Sequence, residues 1–190
     1  MKPFFLLFFV FLTGCKGSTE IKEVEILTYF TNAKEFQLYS STGKNGFTQT
    51  LFRSHKDSID NFQTRISKEL MDSISAVCRN KNEKDFVFKS TKKMWYCGNW
   101  KMVRITYEND EKLVFKFPYG NAQNKQFLPF ESLSRQVRND SLTATRLNIG
   151  QLDAVYTKQK SLSDYAFKED SVYIHKLLEK YHKKDVSNKK

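Results

Sequence analysis

Proline and glycine are scarce, at 3 and 7 among 190 residues. That excludes collagen-like repeats and flexible or Pro-rich linker proteins. So few glycines also leave no phosphate-cradling loop, and the GxGxxG, P-loop and GxSxG patterns are all absent. Histidine is equally rare. His55, His175 and His182 make no HxxxH or HExxH motif, and two helical turns separate the last two by roughly 10 Å, too far to share one metal. No metal site, cofactor or catalytic set is expected. The only long apolar run covers residues 4–12.

What is present points to a folded core. Apolar residues make up 39% of the chain, and 17 Phe and 9 Tyr supply large side chains to bury. At this length one domain with a tail fits better than two, without help from metals or many disulfides.

The chain opens with Lys2, the apolar run and then Leu12-Thr13-Gly14-Cys15. A cation, a short hydrophobic stretch and small residues form an export signal. As a helix, residues 4–12 would extend only about 14 Å, against a hydrocarbon core of about 30 Å. The Leu12-Thr13-Gly14-Cys15 segment resembles the lipobox of bacterial lipoproteins. That resemblance implies cleavage before Cys15, diacylglyceryl on its thiol and acylation of the new amine, with palmitate-like chains in a cell-envelope membrane. Lys16 in place of Asp favours the outer membrane, by the same resemblance. One acyl chain attaches weakly, with an affinity of roughly 10⁴ M⁻¹, and several attach stably. Residues 1–14 are therefore expected as signal peptide and 15–22 as lipidated tether.

Formal net charge is +11, and losing Lys2 with the signal leaves +10. Export argues against nucleic acid as the partner. Anionic headgroups, an acidic partner or a solvated lysine-rich surface remain.

From Glu23 the hydrophobic period is two, through Val24, Ile26, Thr28, Phe30, Phe36 and Leu38. Ser41-Thr42-Gly43-Lys44-Asn45-Gly46 reads as a turn, and residues 47–52 and 62–66 as further strands. Ser67 is placed to cap a helix with Leu70, Ile74, Val77 and Cys78 on one stripe. Phe86-Val87-Phe88 and residues 94–96 read as strands. Val103-Ile105-Tyr107 and Leu113-Phe115-Phe117 flank a polar turn, which predicts a hairpin. Pro129 opens a short helix carrying Phe130, Leu133 and Val137. Residues 140–165 have no firm period, and a last helix is expected near 171–184, capped by Asp170 or Ser171, before a basic tail. The fold expected is α+β over 23–140: a largely antiparallel sheet with helices on one face, plus a C-terminal helix in 141–190. This layout behind a lipobox resembles small Gram-negative envelope lipoproteins with a domain of unknown function, a likeness of layout that transfers no residues.

Cys78 and Cys97 are an even pair in an oxidising compartment, which suits a disulfide worth roughly 3 kcal/mol. The alternative is two buried thiols. Glu108, Asp110 and Glu111 share a hairpin tip, where little desolvation is available to raise a pKa. The most distinctive stretch is Met94-Trp95-Tyr96-Cys97-Gly98-Asn99-Trp100. Alternation cannot bury Trp95 and Tyr96 on one face, so the stretch offers Trp95, Tyr96 and Trp100 for contact, with Arg104 as a polar companion. The alternative is core packing. These features suit a non-enzymatic, lipid-anchored binding module for an envelope protein or glycan. An envelope hydrolase with dispersed catalytic residues and a toxin-neutralising immunity lipoprotein stand as alternatives.

Overall fold

The computed structural model describes residues 20–30, 35–55, 58–88, 98–119, 124–141 and 143–187. Six strands form one antiparallel sheet in the order β4-β3-β2-β1-β5-β6. They are β1 (Ile21–Phe30), β2 (Glu35–Gly43), β3 (Phe47–His55), β4 (Ser58–Arg65), β5 (Asn99–Tyr107) and β6 (Lys112–Pro118). Among the described residues three helices, α1 (Lys68–Cys78), α2 (Leu128–Asp140) and α3 (Ile149–Ser187), join the sheet in the α+β class expected from the sequence.

β1 lies centrally and is covered on both sides. Val24 and Ile26 pack with residues of α1 and α2, whereas Leu27 and Tyr29 pack with residues of α3. α1 and α2 thus share one face, and the C-terminal helix takes the other. β1 starts at Ile21, inside the stretch 15–22 assigned to a tether. β2 runs on through Ser41-Thr42-Gly43, so the turn is confined to Lys44, Asn45 and Gly46. Gly46 has φ 77°, and a Cβ there would collide with the Ile66 carbonyl oxygen.

On the first face, Ser67 Oγ accepts from the Leu70 amide at 3.3 Å and starts α1. Its buried stripe is Met71, Ile74 and Cys78, with Leu70 and Val77 at the margins. α2 carries Pro129 in its first turn and buries Phe130, Leu133 and Val137 as expected. Above the sheet, Phe86 stacks on Phe115 at 4.1 Å, Phe117 stacks on Phe127 at 4.4 Å, and Phe115 meets Phe130 edge-on at 5.2 Å. Such pairs add about 0.5–1.5 kcal/mol each beyond area burial.

Two expectations are corrected here. Residues 86–88 do not form a strand: Asn82 and Asp85 close a capping box over a 3₁₀ turn, Glu83–Phe86, which delivers Phe86 into the phenylalanine stack. The helix expected near 171–184 instead begins at Ile149, started by Asn148 and Gln151, each side chain accepting from the other's amide. Asp170 and Ser171 are therefore interior positions, not caps. Between α2 and α3 the chain rounds the β4 edge. There the Gln63 amide donates to the Thr145 carbonyl at 2.7 Å, and the Leu147 amide to Asn61 Oδ1 at 3.2 Å.

Candidate functional site

The two faces of the sheet carry buried charge in different ways. Beneath α3 the charges are paired. Arg104 donates through Nε and Nη2 to the two oxygens of Glu25 at 2.6 and 2.7 Å, and the Tyr39 hydroxyl donates to the same carboxylate at 2.7 Å. Arg104 also reaches Ser161 on α3 at 3.3 Å. To one side Lys158 meets Glu23 at 2.5 Å, and to the other Lys116 meets Asp170 at 2.5 Å. Burial and the facing Asp170 carboxylate push the Tyr29 phenol far above its usual range. Removing one member of a buried pair strands its partner at a cost of about 3–5 kcal/mol. Arg104, expected as a polar contact beside the aromatics, lies beneath α3 and is paired with Glu25.

The opposite face holds a different arrangement at its Phe30 end. β5 runs inward through Ile105, Val103 and Lys101, so alternation carries a lysine into the apolar layer. Lys101 is 0% exposed. It forms the floor of a cavity of about 190 Å³, with Thr28 of β1 and Leu38 of β2 as walls. Tyr119, just after β6, and Leu128 at the start of α2 stand at the margin, 41% and 39% exposed. α2 supplies Glu131, Ser134, Arg135 and Arg138, spaced so that they share one helical stripe beside its core-facing residues.

Glu131 Oε2 lies 3.2 Å from Lys101 Nζ, and the ammonium sits 4.8 Å from the centre of the Tyr119 ring. Ser134 Oγ is turned to the Phe130 carbonyl at 3.1 Å. Burial lowers Lys101 to about 8. Glu131 opposes that shift, and the Arg138 and Arg135 guanidiniums add to it. The lining thus holds three cations against one carboxylate. The lining is therefore net positive, with an aromatic side chain at its margin.

Of the side chains singled out in the sequence, Trp100 is half-buried at the start of β5. It is edge-on to Phe88 at 6.3 Å and has Lys116 5.5 Å from its ring centre. It belongs to the α3 side, with Leu27 and Met102, and not to the cavity. Trp95, Tyr96 and Cys97 lie outside the described residues, as does Cys15. Cys78 is a buried free thiol pushed up to about 12 by desolvation. The Glu108, Asp110 and Glu111 turn is exposed, and Lys44 and Lys22 pair with Glu108 and Asp110, each at 2.8 Å. Among the described residues no three His, Cys, Asp or Glu side chains gather closely enough to hold a metal, and no helix is long and apolar enough to cross a membrane.

Sequence reasoning missed Lys101 and the α2 stripe. The signal for Lys101 was its place two residues before Val103, on the strand face that already read as inward. No protein-family model, curated protein or solved structure matches the chain.

Proposed function

We propose that this protein is a lipid-tethered envelope module that binds its ligand without transforming it, and that the Lys101 cavity is where it binds. The address rests on Leu12-Thr13-Gly14-Cys15 behind an apolar run too short to span a bilayer. The observation that carries the binding reading is the composition of the cavity. Its one carboxylate is paired with Lys101, the Ser134 hydroxyl is turned to backbone, and the other charged groups are cations. Such a set attracts and orients an anion.

Replacement of the exposed Tyr119 by the photo-cross-linker p-benzoylphenylalanine tests this in cells. Irradiation should yield covalent adducts at position 119 well above those from the same residue at Tyr165, which is exposed on α3. Equal yields at the two positions would remove the cavity from consideration. A second reading is favoured by one observation, the lowering of Lys101 to about 8, which brings a neutral amine within reach near physiological pH. Recovery of chemically altered ligand from the adducts would favour that enzymatic reading over binding.

A further inference from the structure

An ammonium carries three N–H donors. Among the described residues, Lys101 Nζ makes no well-formed hydrogen bond; Glu131 is close in charge but oblique in geometry. Leaving a buried donor unmatched costs about 1–3 kcal/mol, more when it is charged. The site therefore holds an unmet demand for acceptor oxygen at its floor. The two arginines follow Glu131 at i+4 and i+7 on α2, both exposed and both close enough to Lys101 to repel its charge. Like charges drawn together around a void are relieved by an anion between them. The void is small: at 190 Å³ it suits a head group and a few waters, where pockets for whole drug-sized ligands run to about 300–1,000 Å³. Tyr119 and Leu128 at its margin offer exposed apolar surface to whatever the head group is attached to.

We propose that the cavity binds one small oxyanion head group, a carboxylate or a phosphate, on Lys101, Arg135 and Arg138, with the rest of the ligand lying across Tyr119 and Leu128. This names the ligand class of the site proposed above and rests on that reading. Guanidinium groups pair with either anion through parallel N–H donors, and the buried ammonium supplies the point charge behind them.

The test titrates the full-length protein, in detergent at pH 7 and at ionic strength fixed with sodium chloride, with inorganic phosphate and separately with sodium acetate. The thermal midpoint should rise saturably in at least one arm. Saturation with phosphate alone assigns a phosphate head group, and saturation with acetate alone assigns a carboxylate. The R135A/R138A variant keeps the core-facing residues of α2, and its apparent dissociation constant should be weaker by about tenfold or more. K101M should abolish the response. If K101M fails to fold, R135A/R138A carries the test. No saturable rise in either arm, or an unchanged constant in R135A/R138A, would overturn the oxyanion assignment. Selective Tyr119 adducts obtained alongside that result would leave the binding reading in place, so the two failures are distinguishable.

Discussion

Lys101 occupies a position that strand alternation reserves for an apolar side chain, and its ammonium is held at about 8 by the loss of water. In the folded state the groups facing it are Glu131, Arg135 and Arg138 from α2 and Tyr119 beyond β6; Thr28 and Leu38 are uncharged. Unfolding returns Lys101 to its ordinary 10.5. Between pH 8 and 10.5 the unfolded chain therefore binds a proton that the folded chain does not, and this group's contribution to stability rises with pH across that window. The slope is at most about 1.4 kcal/mol per pH unit. Cys78, pushed up to about 12, and the buried phenols of Tyr29 and Tyr39 act in the opposite sense in alkali. The measurement is accordingly a difference: urea unfolding of wild type and K101M at pH 7.5, 8.5 and 9.5. Wild type should gain on K101M as pH rises, and parallel curves would show that the amine is not buried as a charge.

At this scale the sequence was legible wherever one residue type has one job. Ser67 caps α1, Pro129 opens α2, and Phe130, Leu133 and Val137 fill the core. It was illegible where a residue does the less common thing. A lysine ahead of a strand pattern reads as surface, and Glu131, Ser134, Arg135 and Arg138 read as a solvated stripe unless the facing cavity is known.

α3 shows how a paired environment hides an element. Its buried positions run Val155, Gln159, Leu162, Ser163, Ala166 and Asp170, a helical stripe in which half the members are polar. The hydrophobic period is broken because the sheet beneath offers charge as well as hydrocarbon: Lys116 takes Asp170, and neighbouring Glu23 takes Lys158. Sequence periodicity registers only the hydrocarbon, so residues 140–165 read as formless. The same cause works in reverse at residues 86–88, where apolar character suggested a strand and the Asn82–Asp85 capping box produced a turn. The face assigned to α3 has a direct check. Leu162→Ala, at a fully buried position, should cost about 2–5 kcal/mol in urea unfolding. Tyr165→Ala, 42% exposed one position short of a turn further on, should stay within about 1 kcal/mol of wild type. Equal losses would mean that the helix is rotated from this placement.

For the molecule as a whole, the α+β class and the β5–β6 hairpin were readable from alternation and turn chemistry. Which sheet face each helix covers was not, because a strand buried on both sides carries apolar residues on both faces, as β1 does with Ile26 on one and Leu27 and Tyr29 on the other. The address is a separate matter that rests on one thiol. Cys15→Ala should abolish lipidation and move the protein out of the membrane fraction, read by metabolic palmitate labelling and sedimentation. Unchanged membrane association would contradict the proposed anchor.

β1 has one further bearing on how such a molecule works. Its first residue, Ile21, lies about 23 Å along the strand from Thr28, which lines the basic hollow. The hollow and the start of this central strand are thus set well apart. One small head group cannot reach both, so whatever seats on Lys101 leaves the packing around Ile21 as it is.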